Sequence, residues 1–181
     1  MVELLRIGRR HLRAPNRDKS TVQSASSKWD LFGLAESNVR DDGGIRILRE
    51  SFDNVPMAEG LPPIALLTGP EYLTAHTLWL GHHPVTGPAG AVLIMPAKES
   101  IYAYPVTGAE VVKAITILAE LALLHAEDPW PINQSVYWWR EGKLDLAATN
   151  RLEDSTVVTT PADAFYRHTT TLDHDQPDKP A

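Results

Sequence analysis

The sequence predicts an α+β domain, a mostly antiparallel sheet packed by one long buried helix with shorter amphipathic helices around it. Three stretches carry this expectation. Ala91-Val92-Leu93-Ile94-Met95 is apolar without alternation, so both faces of that strand need cover. Residues 108–126 keep a helical period with apolar side chains around most of the circumference. Ser135 to Trp139 and Lys143 to Ala147 flank Arg140-Glu141-Gly142, which reads as a hairpin with Gly142 at the position that needs positive φ. Local pattern specifies elements rather than their pairing, and an α/β sandwich is the alternative.

Taken in order, residues 1–14 place Val2, Leu4, Leu5, Ile7 and Leu12 against Glu3, Arg6, Arg9 and Arg10 at helical spacing, ending at Pro15. Residues 15–28 are polar and read as a mobile loop. Trp29-Asp30-Leu31-Phe32 and Ile45-Arg46-Ile47-Leu48 read as short strands on either side of Asp41-Asp42-Gly43-Gly44, where glycine permits a tight reversal. Ile64 to Leu67 suits a buried strand, and a helix follows Pro70 over Glu71 to Leu80.

Residues 91–147 form the core block. Its second strand is Ile101 to Tyr104, joined to the first by a long polar connection, with Ile101 and Ala103 facing one way and Tyr102 and Tyr104 the other. Thr107-Gly108-Ala109-Glu110 has the capping-box pattern, and Pro129 stops the helix. The expected domain is 1–148, followed by a mostly disordered acidic tail over 149–181, where Thr, Asp and Pro predominate.

Composition narrows the function classes. A net charge of −6 argues against general nucleic-acid binding, although Arg6, Arg9, Arg10, Arg13, Arg17 and Lys19 make the start locally basic. The absence of cysteine excludes disulfides, thiol catalysis and cysteine-ligated zinc. No apolar run is long enough to span a membrane, and the start lacks the apolar core of a secretion signal, so the expected compartment is the cytoplasm.

The succession Ala91 to Lys98, the capped helix, and Pro131-Ile132-Asn133-Gln134-Ser135-Val136-Tyr137-Trp138-Trp139-Arg140-Glu141-Gly142-Lys143-Leu144 resembles the carboxy-terminal half of YtpQ-type proteins, a bacterial family of unknown function. The resemblance covers residues 61–146, and Lys98 stands where the family pattern has arginine. None of the matched motifs is catalytic, so the likeness implies a fold rather than a reaction.

Chemistry-bearing residues are sparse. His76, His82 and His83, with Glu71 nearby, are zinc-type ligands, but their spacing matches no known zinc motif. His125 with Glu127 and Asp128 has the makings of an oriented base. No nucleophile elbow, phosphate loop or cofactor motif is present. The aromatic residues are denser. Tyr102, Tyr104, Trp130, Tyr137, Trp138 and Trp139 fall within 38 residues, and alternation turns Trp138 away from Tyr137 and Trp139. One face is therefore expected to be core and the other, with Tyr102, Tyr104, Tyr137, Trp138 and Trp139 as candidates flanked by Lys98, Arg140 and Lys143, to have the composition of a contact surface. The expected function is therefore a non-catalytic module that binds a protein partner or itself through the aromatic hairpin and the apolar helix, without a cofactor. The alternative is a small metal-dependent or histidine-based hydrolase.

Overall fold

The computed structural model describes residues 28–154 and 156–172. The helix expected over 1–14 lies outside the described residues, as does the loop expected over 15–28 except for Lys28. Backbone contacts separate residues 1–36 from residues 37–181. The described part of the first unit is the start of α1 (Lys28–Asp41), so Trp29 to Phe32 is helical and not a strand. A four-residue apolar window fits either form. The longer run decides it, because Leu31, Leu34 and Ala35 recur at helical spacing and no pair of breakers occurs before Gly43-Gly44.

The second unit holds a seven-stranded sheet. Its strands are β1 (Arg46–Glu50), β2 (Ile64–Thr68), β3 (Ala91–Ala97), β4 (Ser100–Pro105), β5 (Val136–Arg140), β6 (Lys143–Glu153) and β7 (Thr156–Pro161). They lie in the order β1-β2-β4-β3-β5-β6-β7, and every pair is antiparallel. The protein is therefore α+β.

The expected disordered tail is corrected over most of its length. β6 continues to Glu153, β7 pairs with it from Ala148 to Glu153, and α3 (Asp163–Leu172) follows. The domain consequently does not end at 148.

A core lies on each face of the sheet. On one face Val92, Ile94, Tyr104 and Trp138 pack with Val111, Ala114, Ile115 and Leu118 of α2 (Val111–Leu124) and with Phe165 of α3. On the other, Leu67, Leu93, Ile101 and Trp139 pack with Leu73 and Leu80 of a 3-10 segment, Leu73–His82. Residues 91–96, in the middle of the sheet, are buried throughout, which is why β3 carries no polar alternation.

Three local expectations change. The helix after Pro70 is 3-10 in type and kinks at Trp79. The β3–β4 connection is only Lys98-Glu99, because Pro96 is taken into β3 where the register shifts between Ile94 and Ala97. A proline without a ladder donor is tolerated at such a bulge. The capping box does not close as the pattern implies, since the Thr107 hydroxyl donates to Glu110 Oε1 at 2.8 Å and α2 begins after Glu110, which makes no side-chain cap. The β5–β6 reversal does hold Gly142 at φ 77, with Glu141 beside it at φ 50, the paired positive values of a two-residue hairpin turn. No helix among the described residues is long and apolar enough to cross a membrane.

Candidate functional site

The candidate aromatic residues, expected to have one core face and one exposed face, are divided between two cores. Strand alternation sends Tyr102, Tyr104 and Trp138 toward α2, and Tyr137 and Trp139 toward the 3-10 segment. Trp138 is 3% exposed and Trp139 9%, so the exposed aromatic hairpin is not formed.

The packing explains the burial. The Trp138 indole N–H donates to the Ala89 carbonyl at 2.9 Å, and its ring is enclosed by Phe165 edge-on, by His168 at 4.7 Å and by the Arg140 guanidinium at 4.3 Å. Trp139 lies so close to Gly81 and Gly90 that a Cβ at either position would collide with its ring or its carbonyl. Tyr104 is buried beside Glu110, and desolvation followed by that charge pushes its phenol up to about 12.

The basic flank is dispersed as well. Ala91 pairs with Trp139, placing Arg140 and Lys143 at the start of β3, whereas Lys98 follows its far end, roughly 20 Å away at about 3.3 Å per residue. Lys98 instead binds Glu71, whose hydrogen bond is the main cause of its raised pKa.

The histidines separate into two groups. His76 is buried, its Nε2–H donating to the Val39 carbonyl at 3.1 Å, and its ring lies 5.6 Å from that of His83. With Arg40, Trp79 and exposed His82 they line a cleft of roughly 400 Å³, where the Arg40 guanidinium stacks 4.5 Å above Trp79. Among the described residues no three histidine or carboxylate side chains converge as metal ligands, so the His76, His82 and His83 set does not assemble into a zinc site. Desolvation, and then the neighbouring His76 and His82, lower the pKa of His83.

His125 is the second group. Its Nδ1 lies 2.5 Å from Asp128 Oδ2 and its Nε2 3.5 Å from the Tyr102 hydroxyl. Burial, followed by Glu50 and Asp128, raises the Tyr102 pKa. Asp128 is thus the orienting carboxylate that the sequence offered beside Glu127.

The aromatic residue that the sequence counts in the cluster but not among the contact residues is Trp130. It is 87% exposed and sits at φ 63 between Pro129 and Pro131. A non-glycine residue held there costs on the order of 1–3 kcal/mol, so the surrounding chain must impose the conformation. The ties are visible on both sides. Before it, the Asp128 N–H donates to the His125 carbonyl and its carboxylate meets the His125 ring. After it, the Ile132 N–H donates to the Pro96 carbonyl, while Asn133 accepts from the Ser135 N–H and donates to the Tyr137 hydroxyl. Leu124, 73% exposed, and Ile132, 45% exposed, are further exposed apolar residues in the neighbouring stretch of chain. The sequence signal was the Pro-Trp-Pro run, which restricts the backbone around a large aromatic residue.

A further groove, about 310 Å³, runs between α2 and α3 over the end of β7, lined by Val112, Ile115, Thr159, Pro161, Phe165 and Tyr166. No family model, curated protein or solved structure matches this chain.

Proposed function

We propose that the protein is a non-catalytic recognition module that binds a protein partner through the loop from Asp128 to Asn133, with Trp130 as the anchor. The observation that carries this reading is an indole 87% exposed on a strained backbone that hydrogen bonds fix on both sides. A large aromatic residue carried on a backbone already held in place has less chain entropy to lose when it enters a partner's pocket, and Trp is among the residue types that dominate interface energies. The absence of cysteine suits the cytoplasm as the compartment. Kinship of residues 61–146 with YtpQ-type proteins is part of the proposal, supported by the strand, helix and hairpin order of that stretch.

The test replaces the anchor and relieves the strain together. A photo-crosslinking amino acid at Ile132 traps the partner in the cells that make the protein, and affinity for the purified partner is then compared between the native chain and Trp130→Gly. The variant is expected to be more stable to urea by about 1 kcal/mol and to bind at least about thirtyfold more weakly. Equal binding by the variant, or no crosslinked partner, would overturn the reading.

A second reading is a histidine-based hydrolase, favoured by the alignment of Asp128, His125 and Tyr102. A carboxylate on Nδ1 holds the imidazole in the tautomer whose Nε2 accepts a proton from water. It ranks second because the side chains of His125 and Asp128 are 30% and 54% exposed, outside any water-excluding enclosure. Hydrolysis of activated esters, lost by about a hundredfold or more in His125→Ala, is the result that would place it first.

A further inference from the structure

The two ends of the sheet are built differently. At one end, β1 carries Arg46, Arg49 and Glu50 among its five residues, charges that discourage unintended strand pairing. β7, at the other end, reads Thr156-Val157-Val158-Thr159-Thr160-Pro161, uncharged and β-branched at every position before the proline. Among the described residues nothing pairs with its outer edge. A row of unpaired backbone donors and acceptors specifies its occupant, another extended strand. Beside this edge lies the apolar groove between α2 and α3, with Val112 and Tyr166 both 59% exposed on it. Uncharged Thr and Val residues offer nothing that would repel an identical strand, and two-fold symmetry makes each copy the complement of the other.

We propose that β7 pairs antiparallel with β7 of a second copy of this chain, joining two seven-stranded sheets into one and covering the groove. The register follows from the proline. Pro161 has no N–H to give, so the segment that can form a ladder is 156–160, centred on Val158. Thr156 then faces Thr160 of the second copy, and Val158 faces its own equivalent. This surface is separate from the Trp130 loop, and its test is independent of that reading.

Sedimentation velocity of the full chain over a range of concentrations is expected to show a monomer–dimer equilibrium. The double variant Thr156→Lys and Thr160→Lys alters two exposed side chains and sets like charges opposite each other twice, so the dimer is expected to weaken at least about tenfold with circular dichroism unchanged. Because the chain has no cysteine, Val158→Cys supplies a single thiol and is expected to oxidise to a covalent dimer, whereas Glu99→Cys, on the β3–β4 turn, stays monomeric under the same conditions. A chain monomeric at every concentration would overturn the proposal. So would a dimer indifferent to the lysines, a Val158→Cys chain that crosslinks no faster than Glu99→Cys, or a dimer abolished by Trp130→Gly.

Discussion

Protonating His83 would place a charge in a cleft already lined by His76, His82, Trp79 and Arg40. Among the described residues its buried Nε2 has no hydrogen-bond partner, so a proton added there would have no group to accept it. Burial is the larger cause of its lowered pKa and the neighbouring histidines the smaller. The sign of the linkage follows. The unfolded chain takes up a proton near the ordinary value of 6.5, while the folded chain resists until a lower pH. The stability conferred by the neutral ring is therefore present above 6.5 and is lost as pH falls toward the folded value. His168, also lowered by burial and then by Arg140, acts in the same direction. Urea midpoints measured at about pH 7.5 and about pH 5.5 should fall less on acidification in His83→Gln than in the native chain, and an equal fall in both would show that this ring does not carry the effect.

At the scale of elements, α3 closes one core. Phe165 is 2% exposed and meets the Trp138 ring edge-on with 5.3 Å between centroids. Phe165→Ala is expected to cost about 3–5 kcal/mol in urea unfolding, the range for emptying a large buried aromatic site. A loss below about 1 kcal/mol would mean that α3 adds little to the fold. The sequence understated this part of the chain for an identifiable reason. Thr156 to Thr160 lies in a stretch whose Thr, Asp and Pro content suggests disorder, although its β-branched residues suit a half-buried strand, and Ala164-Phe165-Tyr166 is too short an apolar signal to show where it docks. By contrast, the apolar run of β3, the alternation of β4, the turn at Gly142 and the apolar stripe of α2 were legible, because each is written in a short stretch of neighbouring residues.

For the whole molecule, the α+β class was legible, and the division of the aromatic residues between two cores was not. Alternation along β5 requires Trp138 and Trp139 to face apart, yet it cannot say that both faces are covered. That depends on the 3-10 segment lying on one side of the sheet and α2 with α3 on the other, a long-range property. The sequence placed Trp130 in the aromatic cluster but could not single it out, since its exposure goes with a backbone angle in a loop tied to Pro96, His125 and Tyr137. The sheet order also bears on biosynthesis. β3 lies between β4 and β5, and β5 is made about forty residues after β3. Until Val136–Arg140 emerges from the ribosome, the nascent polypeptide displays its most apolar strand with one margin bare, and this is the interval in which a chaperone has most to shield.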